Sequence, residues 1–176
     1  MQTDRRRLDQ IQDPEFIADL DSLALDDLRA RRDLADDVEN ELSYYRRFLH
    51  GRLDLLAFEQ RRRRGEESRS LIDALTEILT GHDRGGGASS RHLTTDAPDI
   101  PVQGRRHLDH VLGNDLMARL GEMSEEELSE AASELSDLES EISTVRQGVQ
   151  AILDQLHAAV INRYKHDLGD PALRPS

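Results

Sequence analysis

The sequence predicts an all-α protein: an antiparallel two-helix coiled-coil hairpin with short accessory helices and a disordered linker. Three observations predict it. Apolar residues recur at spacings of three and four in two long segments, near residues 22–64 and 124–166. Hydrophobic residues make up only 36% of the 176-residue chain and aromatics 3%, against 34% charged. That is thin for a globular core and suits helices that each bury one narrow stripe. Between the two segments lies a stretch rich in glycine, serine and proline, which breaks regular structure.

The elements follow in order. Residues 1–21 carry few apolar anchors and read as a flexible N-terminal tail. The first long helix, 22–64, has the stripe Leu34, Val38, Leu42, Tyr45, Leu49, Leu53 and Leu56. Arg61 to Arg64 and then Gly65 close it, since basic side chains suit a helix C-terminus and glycine ends one. Residues 65–123 hold an amphipathic segment, Ser68 to Leu79, a flexible linker from His82 to Gly104, and a short helix from Arg105 to Leu120. Ser124 with Glu127 forms a capping box that opens the second long helix, 124–166. Its stripe is Leu135, Leu138, Ile142, Val145, Val149, Ile152, Leu153, Leu156 and Val160. Gly169, Pro171 and Pro175 mark a flexible C-terminal tail, 167–176.

Composition excludes several functions. The chain has no cysteine, so it has neither disulfides nor thiolate metal sites. No apolar run approaches the ~18 residues of a membrane helix. The charged start, Met1 to Arg7, has no apolar stretch behind it, so no signal peptide is expected and the cytoplasm is the expected location. A net charge of −13 argues against direct DNA binding and favours a basic protein partner. No nucleophile–base pair or phosphate-cradling glycine loop is evident, so no enzymatic activity is expected.

The two long helices repeat each other at an offset of 100 residues. Between Asp37–Leu56 and Asp137–Leu156, eight of twenty positions are identical without a gap. The shared polar set is Glu39, Ser43, Arg46, His50 and Asp54 in the first copy. In the second it is Glu139, Ser143, Arg146, Gln150 and Asp154. At about 100° per residue these five places fall within a strip about 80° wide, and at about 1.5 Å per residue it is about 22 Å long. The apolar stripe lies beside it. Each helix therefore has a greasy seam for its partner and a polar strip next to the seam.

The residue types suit a guanine nucleotide. Arginine forks to guanine O6 and N7, stacks on purines and neutralises phosphate. A carboxylate accepts from guanine N1 and N2, and serine and glutamine add hydrogen bonds. The plainer alternative is a solvated face, with Arg46–His50–Asp54 and Glu39–Ser43 as intrahelical i,i+4 pairs worth about 0.3–0.5 kcal/mol each. One copy alone favours that alternative; the same pattern twice favours a ligand.

Other candidates are weaker. His107 with His110, or His50 with Asp54, has metal-ligand spacing, but no third ligand is evident and no metal is expected. Arg61 to Arg64 reads either as a phosphate patch or as a solvated helix end. Tyr44, Tyr45 and Phe48 are candidates for base stacking, with Tyr45 also in the apolar stripe. Gly51 and Gly148 cost about 1 kcal/mol each inside helices, which a close ligand or partner approach would explain.

The doubled strip resembles the RsiG family of anti-sigma factors, which act on the sporulation sigma factor WhiG of actinomycetes. That family carries E-x3-S-x2-R-x3-Q-x3-D once on each of two coiled-coil helices. The second copy here matches at all five places and the first at four, with His50 in place of Gln. An imidazole donates or accepts one hydrogen bond where an amide does both. Leu42-Ser43-Tyr44 and Gly51-Arg52-Leu53-Asp54 are also similar.

The resemblance implies a function. The hairpin binds cyclic di-GMP, two partly intercalated molecules per chain, and the loaded protein holds a WhiG-type sigma factor away from RNA polymerase. Arg46 and Arg146 then contact guanine or phosphate, and Asp54 and Asp154 read guanine N1 and N2. Gln150 and His50 bond base edges, and Ser43 and Ser143 touch phosphate or ribose. Glu39 and Glu139 orient the arginines or bond a base. The acidic surface, Glu125 to Glu127 included, suits a basic sigma surface. The alternative from another class is a structural coiled-coil adaptor with no nucleotide ligand.

Overall fold

The computed structural model describes residues 3–71, 73–74 and 119–169. Helix α1 spans Thr3–Gln12, and two 3-10 helices follow at Pro14–Ile17 and Leu20–Ser22. The long helices are α2, Leu25–Arg63, and α3, Glu125–Gly169. No strand occurs among the described residues. The class is therefore the predicted one, all-α with two long helices packed against each other. Of the amphipathic segment expected at Ser68–Leu79, residues 71, 73 and 74 are helical and 72 and 75–79 lie outside the described residues, as do the linker His82–Gly104, nearly all of Arg105–Leu120 and the chain beyond Gly169; α3 runs to Gly169, three residues into the tail expected over 167–176.

Local chemistry fixes the ends of the long helices. Asp26 and Asp27 occupy the first turn of α2 and Arg61 to Arg63 its last, each sign complementing the helix dipole. Gly65 then adopts φ 75°, a left-handed value that costs a glycine nothing. Its N–H donates to Arg62 O (3.1 Å) and that of Glu66 to Arg61 O (3.0 Å), the two bonds of a Schellman motif. The capping box before α3 forms as predicted. Glu127 N donates to Ser124 Oγ (3.1 Å), and Ser124 N donates to the Glu127 carboxylate (2.7 Å).

The chain divides into two compact units, residues 1–43 with 144–176, and residues 44–143. Each contains a stretch of both long helices. In the first unit Leu28, near the start of α2, packs with Ala159 and Val160 of α3, against Leu20, Leu23 and Leu25. Val38, Leu42, Val149, Leu153 and Leu156 are buried there too. In the second unit Tyr45, Leu49, Leu56, Leu128, Leu135 and Ile142 are buried. Arg63, at the end of α2, donates to the carbonyls of Leu120 (3.1 Å) and Met123 (2.5 Å), just before α3. The helix stretches thus run antiparallel within each unit.

The second unit also buries more of α2 than one seam. Leu55, Phe58, Arg52 and Glu59 are buried beside the predicted stripe. The Glu59 carboxylate, 2% exposed, takes Arg62 Nε at 2.7 Å and Arg63 Nε at 2.8 Å. Hydrogen bonds from Arg62 hold its carboxyl below the ordinary carboxylate range against the opposing effect of burial, with Arg63 adding to them. Burial pushes the Arg52 guanidinium down, and it stacks 4.4 Å from the Phe48 ring centre.

The N-terminus corrects the expectation of a flexible tail over 1–21. Residues 3–12 are helical, and Leu8, Ile11 and Phe16 are buried, Ile11 completely. Arg7 pairs with Glu41 of α2 at 2.6 Å. Arg31 of α2 donates to Phe16 O at 2.5 Å and lies over the Phe16 ring. Pro14 at the first helical position and Asp13, which accepts from Glu15 N at 2.9 Å, set the turn between them. A ten-residue helix is marginal in water, so this one depends on tertiary anchors supplied by α2.

Candidate functional site

The two motif copies interlock, and each compact unit contains one mixed cluster. In the first unit the centre is Glu39 of α2. Its Oε1 accepts from Ser43 Oγ (2.9 Å), one turn along the same helix. It also accepts from two side chains of α3: Arg146 Nε (2.8 Å) and Gln150 Nε2 (3.1 Å). Arg146 Nε donates to Ser43 Oγ as well, at 2.7 Å. The glutamate and serine of copy one thus hold the arginine and glutamine of copy two.

The second unit mirrors this with the helices exchanged. Glu139 Oε1 of α3 accepts from Ser143 Oγ (2.7 Å), Arg46 Nε (3.0 Å) and His50 Nε2 (2.9 Å). Burial alone would push the Glu139 carboxyl up. Hydrogen bonds from Ser143, His50 and Arg46 outweigh it and hold the group below the ordinary carboxylate range. An ionised carboxylate only accepts, so His50 Nε2 must carry the proton in this contact. His50 therefore fills the geometric role that Gln150 fills in the other cluster, donating to the same type of oxygen.

The helical strip explains how this works. Glu, Ser, Arg and His or Gln sit at offsets of 0, 4, 7 and 11 on one strip beside the seam. In an antiparallel pair with the motifs 100 residues apart, the start of one strip faces the later part of the other. The expected i,i+4 pair Glu39–Ser43 forms, as does its counterpart Glu139–Ser143, and both arginines bond across the helix pair. Eight of the ten predicted site residues come together in this way, four per unit. Asp54 and Asp154, the fifth place of each copy, are exposed to solvent.

The arginine of each cluster is partly exposed to solvent. The Arg46 side chain is 38% exposed and that of Arg146 23%. Each glutamate engages the Nε edge of its arginine, one of the five N–H donors a guanidinium carries.

The remaining sequence candidates separate. Arg62 and Arg63 serve the buried Glu59 and the chain before α3, so this stretch is a structural clasp rather than a phosphate patch. Tyr45 is buried, while Tyr44 and Phe48 are partly exposed. A Cβ added at Gly51 or Gly148 would meet nothing within 4 Å, so no neighbour among the described residues requires either glycine. His107 and His110 lie outside the described residues. Among the described residues no group of three or more His, Asp or Glu side chains could hold a metal ion, and no helix is long and apolar enough to cross a membrane. Sequence reasoning did not find the buried Glu59 or its arginine clasp, because a charged stretch at a helix end looks solvated.

No curated protein matches the chain. A family model described as RsiG-like matches residues 14–79, a segment that contains the whole of α2 and the whole first motif and is similar to that family.

Proposed function

We propose that this chain is a cyclic di-GMP-responsive anti-sigma factor which, when loaded with the dinucleotide, sequesters a WhiG-type sigma factor from RNA polymerase and so controls sporulation transcription. The observation that carries this reading is the pair of mixed clusters, each offering one arginine and an amide or imidazole beside it. The RsiG-like match supports the anti-sigma role.

The residues act by binding alone, with no bond made or broken. Arg46 and Arg146 each offset phosphate charge of a cyclic dinucleotide and read the Hoogsteen edge of guanine. His50 and Gln150 bond base edges. The exposed Asp54 and Asp154 accept from guanine N1 and N2, which adenine does not offer. Ser43 and Ser143 complete the contacts to phosphate or ribose. With eight of the candidate residues in two like clusters, the expected stoichiometry is two molecules per chain. The acidic surface, net −13, then meets a basic sigma surface.

Calorimetric titration of the full chain tests this. Cyclic di-GMP should bind with two equivalents and cyclic di-AMP at least tenfold more weakly. Arg146→Ala should lose most of the affinity, and capture of a WhiG-type sigma factor should need the ligand. Equal affinity for the two dinucleotides contradicts guanine reading. One observation favours a structural adaptor instead: both clusters already satisfy their charges internally. The adaptor predicts no heat with any dinucleotide.

A further inference from the structure

We infer that Glu39 and Glu139 are positioning residues that act across the helix pair, so that the functional half-site is not a motif copy but a composite of both copies. One half-site joins Glu39 and Ser43 with Arg146 and Gln150. The other joins Glu139 and Ser143 with Arg46 and His50.

The geometry repeats too closely to be incidental. In each cluster three donors converge on the same carboxylate oxygen: a serine one turn along, the Nε of an arginine from the other copy, and a nitrogen of the residue four places beyond that arginine. The distances are 2.7–3.1 Å in all six contacts. A long exposed arginine samples many rotamers, and fixing it costs entropy that a ligand must otherwise supply. Gripping Nε fixes the plane of the guanidinium while leaving its terminal N–H groups to a ligand. The carboxylates are largely buried, 15% and 21% exposed, as suits a positioning group rather than a contact group. Reading the motif along one helix assigns Glu139 to the site of Arg146; the structure assigns it to the site of Arg46.

The ligand arm of this inference rests on the nucleotide-binding reading above. With cyclic di-GMP as probe, Glu139→Ala should weaken one of the two binding events about tenfold, since a charge-assisted hydrogen bond is worth roughly that factor. Adding Arg46→Ala to it should weaken that event no more than Arg46→Ala alone does. Adding Arg146→Ala instead should impair both events. If Glu139 is non-additive with Arg146 and additive with Arg46, the composite is overturned.

A second readout needs no ligand. In ¹⁵N spectra of the full chain, the Arg46 Nε–H signal should shift and lose exchange protection in Glu139→Gln, and that of Arg146 in Glu39→Gln. A purely structural glutamate would lower stability without this reciprocal pattern. Absence of binding by the unsubstituted chain sinks the nucleotide reading. An Arg46 Nε–H signal unmoved by Glu139→Gln sinks the positioning role whatever the binding result.

Discussion

Arg63→Ala is the substitution whose cost the structure fixes best. Arg63 donates to the Glu59 carboxylate at 2.8 Å, to Met123 O at 2.5 Å and to Leu120 O at 3.1 Å. It therefore ties a buried anion on α2 to the chain that enters α3. Breaking a buried ion pair outright costs about 3–5 kcal/mol because a charge is left uncompensated. Here Arg62 keeps its two bonds to Glu59, at 2.7 and 2.8 Å, so part of that cost is spared. Loss of the charged donor from two carbonyls adds to the remainder. The sum is about 2–3 kcal/mol. For a chain of this length each kcal/mol lowers Tm by about 2–4 °C, giving a fall of about 5–10 °C. Urea unfolding followed by circular dichroism measures the free energy. Arg62 lies nearer the solvent and touches only Glu59 among these groups, so Arg62→Ala should cost less. Equal losses for the two variants, or a loss under about 0.5 kcal/mol for Arg63→Ala, would refute the reasoning.

Three further outcomes are expected. Hydrogen bonding depresses the Glu59 and Glu139 carboxyls in the folded state, so their stabilisation is present above the ordinary carboxylate range and is lost as pH falls through their lowered values; in Glu59→Gln the acid limb of a stability–pH curve should be shallower. Gly148→Ala should raise stability by about 0.5–1 kcal/mol in thermal unfolding, because a new Cβ meets nothing and the helix gains propensity; a loss of stability would show that the site is not open in solution. Phe16→Ala should cost about 3 kcal/mol or more and strip α1 amides of hydrogen-exchange protection, since Phe16 is buried beside Arg31; protection unchanged in α1 would contradict its dependence on α2.

Much of the fold was legible because it is written locally. The Leu, Ile and Val positions of both stripes repeat at helical spacing, and Tyr45, Leu49, Ile142, Val149 and Leu156 are buried as that spacing requires. The capping box at Ser124 and the stop at Gly65 are short-range chemistry, so they too could be read directly. The doubling of Glu, Ser, Arg, His or Gln, and Asp was visible as a repeat, and its first four places in each copy are the residues that cluster. Helix α1 was not visible. Its anchors Leu8, Ile11 and Phe16 are few, and what holds them, Glu41 and Arg31, lies on another element.

What the sequence determined by itself was two striped helices and which polar side chains share a strip, because a regular helix converts spacing into direction. Only tertiary structure decided who bonds whom. Glu39 and Glu139 each had an arginine seven residues along their own helix, yet each takes the arginine of the other. The antiparallel packing of two strips brings the distant arginine to 2.8 or 3.0 Å, whereas partners within one helix are fixed by the helix itself. The same holds for Glu59: its burial and its clasp to Leu120 and Met123 through Arg63 exist only once the end of α2 meets the beginning of α3.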